Sequence, residues 1–71
     1  MIVFSERLNE CLASSGKSVY ACSRDMGIHH TTMYGYANSY VNPTAPAIAK
    51  IARYFNVTSD WLLGLSDRKD R

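Results

Sequence analysis

The chain has 71 residues, room for one domain built around one small core. Hydrophobic residues make up 46% of it and charged residues 20%, a balance that suits a packed globule and excludes a disordered tail. The net charge of +2 is too mild to identify a nucleic-acid binder, no apolar run approaches the ~20 residues that span a bilayer, and two cysteines are too few for a disulfide scaffold.

Helix signals recur along the chain and strand signals do not. Phe4, Leu8, Cys11 and Leu12 fall at helical spacing, and Gly16 offers a left-handed cap behind them. The opening Met-Ile-Val-Phe runs straight into Ser5, Glu6 and Arg7, too short for a signal peptide, so a cytoplasmic protein is expected. Ser18 caps a second helix with Ala21, Cys22 and Met26 on its inner stripe. Gly27 supplies the positive backbone angle of a tight turn, and Ile28 plugs the corner. A third helix runs from His29 to about Ala37 with Met33 and Tyr36 inward. Two short helices joined this way make a helix-turn-helix, whose second helix can enter the DNA major groove.

Asn38 to Asn42 reads as a polar loop carrying Tyr40, closed by Pro43. Thr44 caps a fourth helix, tolerates Pro46 in its first turn, and precedes the stripe Ile48, Ile51, Ala52 and Phe55, which Asn56 ends. Thr58 caps a fifth helix holding Trp61, Leu62 and Leu65, and Gly64 loosens its end. Leu62 and Leu65 then share an inner face with Trp61, and Leu63 points outward. Trp61, Phe55 and Ile51 are expected in the core. The expected fold is all-α, five helices in one domain over 1–66, with 67–71 as a charged and solvated tail. Cys11 and Cys22 sit at apolar-periodic positions and read as small buried thiols.

Chemistry finds no foothold. Adjacent His29 and His30 diverge by about 100° on a helix, and no Cys, Asp or Glu nearby completes a zinc site. No spacing gathers a nucleophile, a base and an orienting acid, so the chain is read as no enzyme, with no cofactor, no metal and no small-molecule substrate.

With these elements in place, the chain resembles the lambda repressor and Cro type of helix-turn-helix regulator, the XRE family, over about residues 4 to 67. Four stretches carry the resemblance: Arg7-Leu8 through Gly16-Lys17-Ser18; Met26-Gly27-Ile28 with the helix ending Tyr36-Ala37-Asn38; Asn42-Pro43-Thr44; and Ile51 through Gly64. It implies a compact lambda-repressor-like DNA-binding domain in a bacterial or phage regulator, acting as a repressor on double-stranded DNA. By position it implies that His30, Thr31, Tyr34 and Gly35 face base edges. It assigns Lys17, Ser18, Val19, Thr32, Asn38, Tyr40 and Asn42 to the phosphate backbone. Relatives pair at the C-terminal edge, so Leu63 and Leu65 are assigned to a weak homodimer interface on a palindromic operator.

Thr side chains bond base edges or pack on the thymine methyl, and Tyr hydroxyls reach phosphates. No Arg or Lys occurs between Asp25 and Lys50, so guanine-reading side chains are missing and the expected preference leans to A/T-rich steps. Val19 stands where the family has Gln, Leu12 and Ala37 where it has Arg and Glu, Gly35 where a long polar reader is frequent, and Ser39 where a turn Gly is usual. Those departures support an alternative: a protein-interaction module on the same fold, an antitoxin or accessory phage regulator, whose third helix has left DNA use.

Overall fold

The computed structural model describes residues 2–71; Met1, the first residue of the opening apolar stretch, lies outside them. Five helices follow in order: α1 (Ile2–Ser14), α2 (Val19–Met26), α3 (His30–Ala37), α4 (Ala45–Phe55) and α5 (Ser59–Leu62). There is no strand among the described residues; one isolated bridge joins Val57 to Asp70. No described helix is long and apolar enough to cross a membrane.

Local chemistry sets the helix ends. The Ser18 hydroxyl accepts the Ala21 N–H at 3.0 Å, Thr44 accepts that of Ala47 at 3.2 Å and Thr58 that of Trp61 at 3.0 Å. Each satisfies one of the donors that a helix start leaves orphaned. Gly27 closes α2 at φ +71°, in the left-handed region that a side chain resists, and its N–H returns to the Arg24 carbonyl at 3.1 Å. Asn56 ends α4 in the same conformation at φ +56°. His29 is not the first residue of α3 but its cap, so the helix starts at His30.

The inner stripes meet in one core. Phe4, Leu8, Met33, Ile51 and Leu62 are at most 1% exposed, and Cys11, Cys22, Tyr36 and Trp61 are buried with them. Full burial of such side chains stabilises by about 1.5–3 kcal/mol each before entropy is counted. Neither thiol is paired, and burial pushes the Cys11 thiol up, so it stays protonated at neutral pH.

Polar contacts tie α3 to α1. The single Ser5 hydroxyl proton goes to the Tyr36 carbonyl at 2.6 Å, and Ser39 donates to the Ser5 oxygen at 2.6 Å. Asn9 donates to the Ala37 carbonyl at 2.9 Å. Carbonyls at the C-terminal end of α3 are thus satisfied by α1.

The C-terminal quarter departs from expectation. α5 stops at Leu62, and Gly64 turns the chain at φ +80° with Val3 so close that an added Cβ would lie 2.8 Å from its Cγ1. Leu65 is therefore outside the helix and 75% exposed, and Leu63 is half-buried against the core, the reverse of the expected orientation. Phe55 is also only half-buried, with its ring edge-on to Tyr54 at 5.0 Å. Nor is 67–71 a free tail. Thr58 donates its N–H to the Lys69 carbonyl at 3.0 Å and its hydroxyl to Arg68 at 2.9 Å, and Lys69 pairs with Glu10 at 2.9 Å. Arg7 donates to the carbonyls of Trp61 and Ser66, and the cations of Arg7 and Lys69 each lie 5.0 Å from the Trp61 ring. The Lys69 contact holds the segment over the indole.

Candidate nucleic-acid interface

α3 is anchored by Met33 and Tyr36, and the side it turns away from them carries Thr31, Tyr34 and Asn38, spaced i, i+3 and i+7. All three are exposed, as is Thr32. Asn38 holds its own helix end by donating to the Tyr34 carbonyl at 2.8 Å. Tyr40, 80% exposed, and exposed Asn42 follow on the loop.

The helix start is organised by imidazoles. His29 Nδ1 accepts the Thr31 N–H at 3.2 Å, which requires a lone pair there and leaves the ring proton on Nε2. Because His29 lies outside the helix, its ring does not diverge from that of His30 but stacks on it, with centroids 4.5 Å apart and 26° between planes. The His30 ring also meets Tyr20 of α2, tilted, with centroids 5.3 Å apart. No group of three metal-ligating residues occurs among the described residues.

Three assigned residues are placed differently from expectation. Gly35 lies on the outer side by helical spacing, yet it is buried. The loop folds back, with the N–H groups of Tyr40 and Val41 donating to the Gly35 carbonyl, and Val41 roofs the glycine so that an added Cβ would lie 2.9 Å from its Cγ2. Val41, 48% exposed, offers the surface there instead. Val19 is half-buried against the core and has no polar group on its side chain to offer. Lys17 is drawn away to a carboxylate: its ammonium lies 2.9 Å from Asp25 Oδ2 and 3.4 Å from the Tyr54 hydroxyl, which itself donates to Asp25 at 2.7 Å. Ser18 remains exposed, its oxygen engaged as the α2 cap.

The Tyr54 hydroxyl, then the Lys17 ammonium, holds the Asp25 carboxyl below its ordinary range, and the Asp25 carboxylate in turn raises both Lys17 and Tyr54. A depressed carboxyl contributes stability that is complete above its unfolded value and disappears as pH falls through the folded one. The stabilisation from this trio is therefore expected to hold from neutrality down to about pH 4 and to fade below it. Urea midpoints of wild type and Asp25→Asn, followed from pH 7 to pH 2, should differ at neutrality and converge in acid. A constant difference would show that the trio contributes nothing through ionisation.

Tyr20 and Val41 were missed from the sequence. Neither carries a motif, and both enter through contacts between separate segments. No protein-family model matches this chain, and no curated protein or solved structure matches it either.

Proposed function

We propose that this chain is a lambda repressor-like helix-turn-helix domain of the XRE type that binds double-stranded DNA, in a bacterial or phage transcriptional regulator acting as a repressor. The observation that carries the reading is the outer face of α3. A short helix anchored by its inner side chains exposes Thr31, Thr32 and Tyr34, with His30 at its start and α2 packed beside it across the Gly27 turn. Such a helix end fits the major groove, where hydroxyls and a ring N–H meet base edges. Ser18, Asn38, Tyr40 and Asn42 supply polar groups for phosphates around it. One domain of this size buries too little for tight binding, so a weak homodimer on a palindromic site belongs to the reading, with Leu65 and the edge of Leu63 as its apolar surface.

A specific observation favours a second reading, a protein-interaction module on the same fold. The exposed face of α3 has no cation, and Lys17 is already paired. Retention on heparin and on random duplex, eluted with salt, separates the two readings. A phosphate-binding surface is retained at low salt and released in proportion to its contacts. Asp25→Asn should strengthen retention, because it frees the Lys17 ammonium and removes a negative charge. Lys17→Ala should weaken it on all sequences alike and flatten the log–log salt slope by less than the ~0.9 expected for one full phosphate contact. Wild-type protein that passes through both columns at low salt would sink the DNA reading. Retention unaltered by Asp25→Asn would remove Lys17 from the footprint.

A further inference from the structure

We propose that Tyr20 is a positioning residue for His30, whose imidazole is in contact with both the Tyr20 ring and that of His29. The inference rests on the reading of α3 as the DNA-facing helix. Its geometry is independent of that reading. His29 is pinned to the helix start because Nδ1 accepts the Thr31 N–H at 3.2 Å. His30 stacks on this fixed ring at 4.5 Å and 26°, and the Tyr20 ring lies against it, tilted, at 5.3 Å and 48°. A half-buried imidazole at a helix start that nothing held would sample several rotamers, and ordering it at the moment of binding costs affinity. Contact with two neighbouring rings meets that cost in advance.

Tyr20 itself has no other visible task. It is 57% exposed and lies outside the buried core, so its loss leaves the fold intact. It lies on α2 and His30 on α3, so the contact also ties the reader to the orientation of the two helices. Ser23, Arg24 and Ile28 complete the shallow depression in which the rings sit. Arg24 lies one turn after Tyr20 on the same helix.

The test uses the full chain and a duplex recovered by wild-type selection from random sequences, with Tyr20→Ala, Tyr20→Phe, His30→Ala and the Tyr20→Ala/His30→Ala double variant. In the free protein, the NMR shifts of the His30 ring protons should move in Tyr20→Ala, where only the His29 ring current remains, and stay at their wild-type positions in Tyr20→Phe. On the duplex, Tyr20→Ala should weaken binding about two- to tenfold, the span that aromatic-pair energies convert to. Tyr20→Phe should restore wild-type affinity, and the double variant should be no weaker than His30→Ala alone. Additive losses would show that Tyr20 contacts DNA directly and overturn the positioning role, as would an unchanged NMR signal in Tyr20→Ala or failure of Phe to rescue. If wild type selects no duplex, the DNA reading fails and the positioning role falls with it. That outcome is recognised by the absent wild-type binding, whatever the ring currents show.

Discussion

Phe4→Ala is expected to destabilise the protein by about 3–5 kcal/mol, and Phe55→Ala by only about 1–2 kcal/mol. Both are aromatic residues at helical spacing, and the sequence treats them alike. Their surroundings differ. Phe4 is 1% exposed and meets Tyr36 edge-on at 6.3 Å, so its removal opens a cavity between α1 and α3. Phe55 sits at the last turn of α4, half in water, where solvent fills part of the space an alanine leaves. A domain of this length has a total stability of about 4–11 kcal/mol, so the Phe4 variant consumes a large share of it. Urea titration followed by far-UV circular dichroism measures both losses. Equal losses, or a larger one at Phe55, would contradict the packing described for α1 and α4.

On the selected duplex, His30→Ala and Thr31→Ala should each cost about 1–3 kcal/mol of binding, and far less on a scrambled duplex. The argument starts from the backbone. The Thr31 N–H is tied to His29, so the first turn of α3 is a defined platform and not a fraying end. From it the Thr31 side chain offers a hydroxyl and a methyl, and His30 offers a ring nitrogen held in a stack. Contacts of that kind distinguish one base pair from another, which a phosphate contact does not. Fluorescence anisotropy with the two duplexes at one salt concentration provides the comparison. Matching losses on both would mean that these residues hold the backbone and read no sequence. The same series should show Gly35 to be silent as a reader, since Val41 covers it.

Much of the fold was legible in the sequence because helix ends are short-range chemistry. Ser18, Thr44 and Thr58 cap through hydroxyls that reach only three residues ahead, and Gly27 and Asn56 stop helices through their own backbone angles. The period of Phe4, Leu8, Cys11 and Leu12 identifies the buried face of α1 without knowledge of what covers it. Periodicity placed Met33 and Tyr36 inward on α3, and the exposure of Thr31, Thr32 and Tyr34 agrees with the positions the resemblance implied for them.

Apart from the local His29 cap, the misplaced residues depend on segments far apart in the chain. Helical spacing puts Gly35 on the outer side, and only the return of the 38–42 loop buries it under Val41. Lys17 reads as a free cation until α4 brings Tyr54 beside Asp25. Leu63 and Leu65 exchange exposure because α5 ends a turn earlier than its apolar run, at a glycine packed on Val3. The charged terminus reads as a solvated tail until Thr58, Glu10 and Trp61 gather to receive it. The Tyr20–His30 contact joins two helices through rings that have no sequence spacing to announce them. The sequence alone determined helix number, caps and inward faces, since each rests on interactions within about one turn. Tertiary structure decided which outward residues stay free, because exposure is settled by whatever distant segment comes to lie over them.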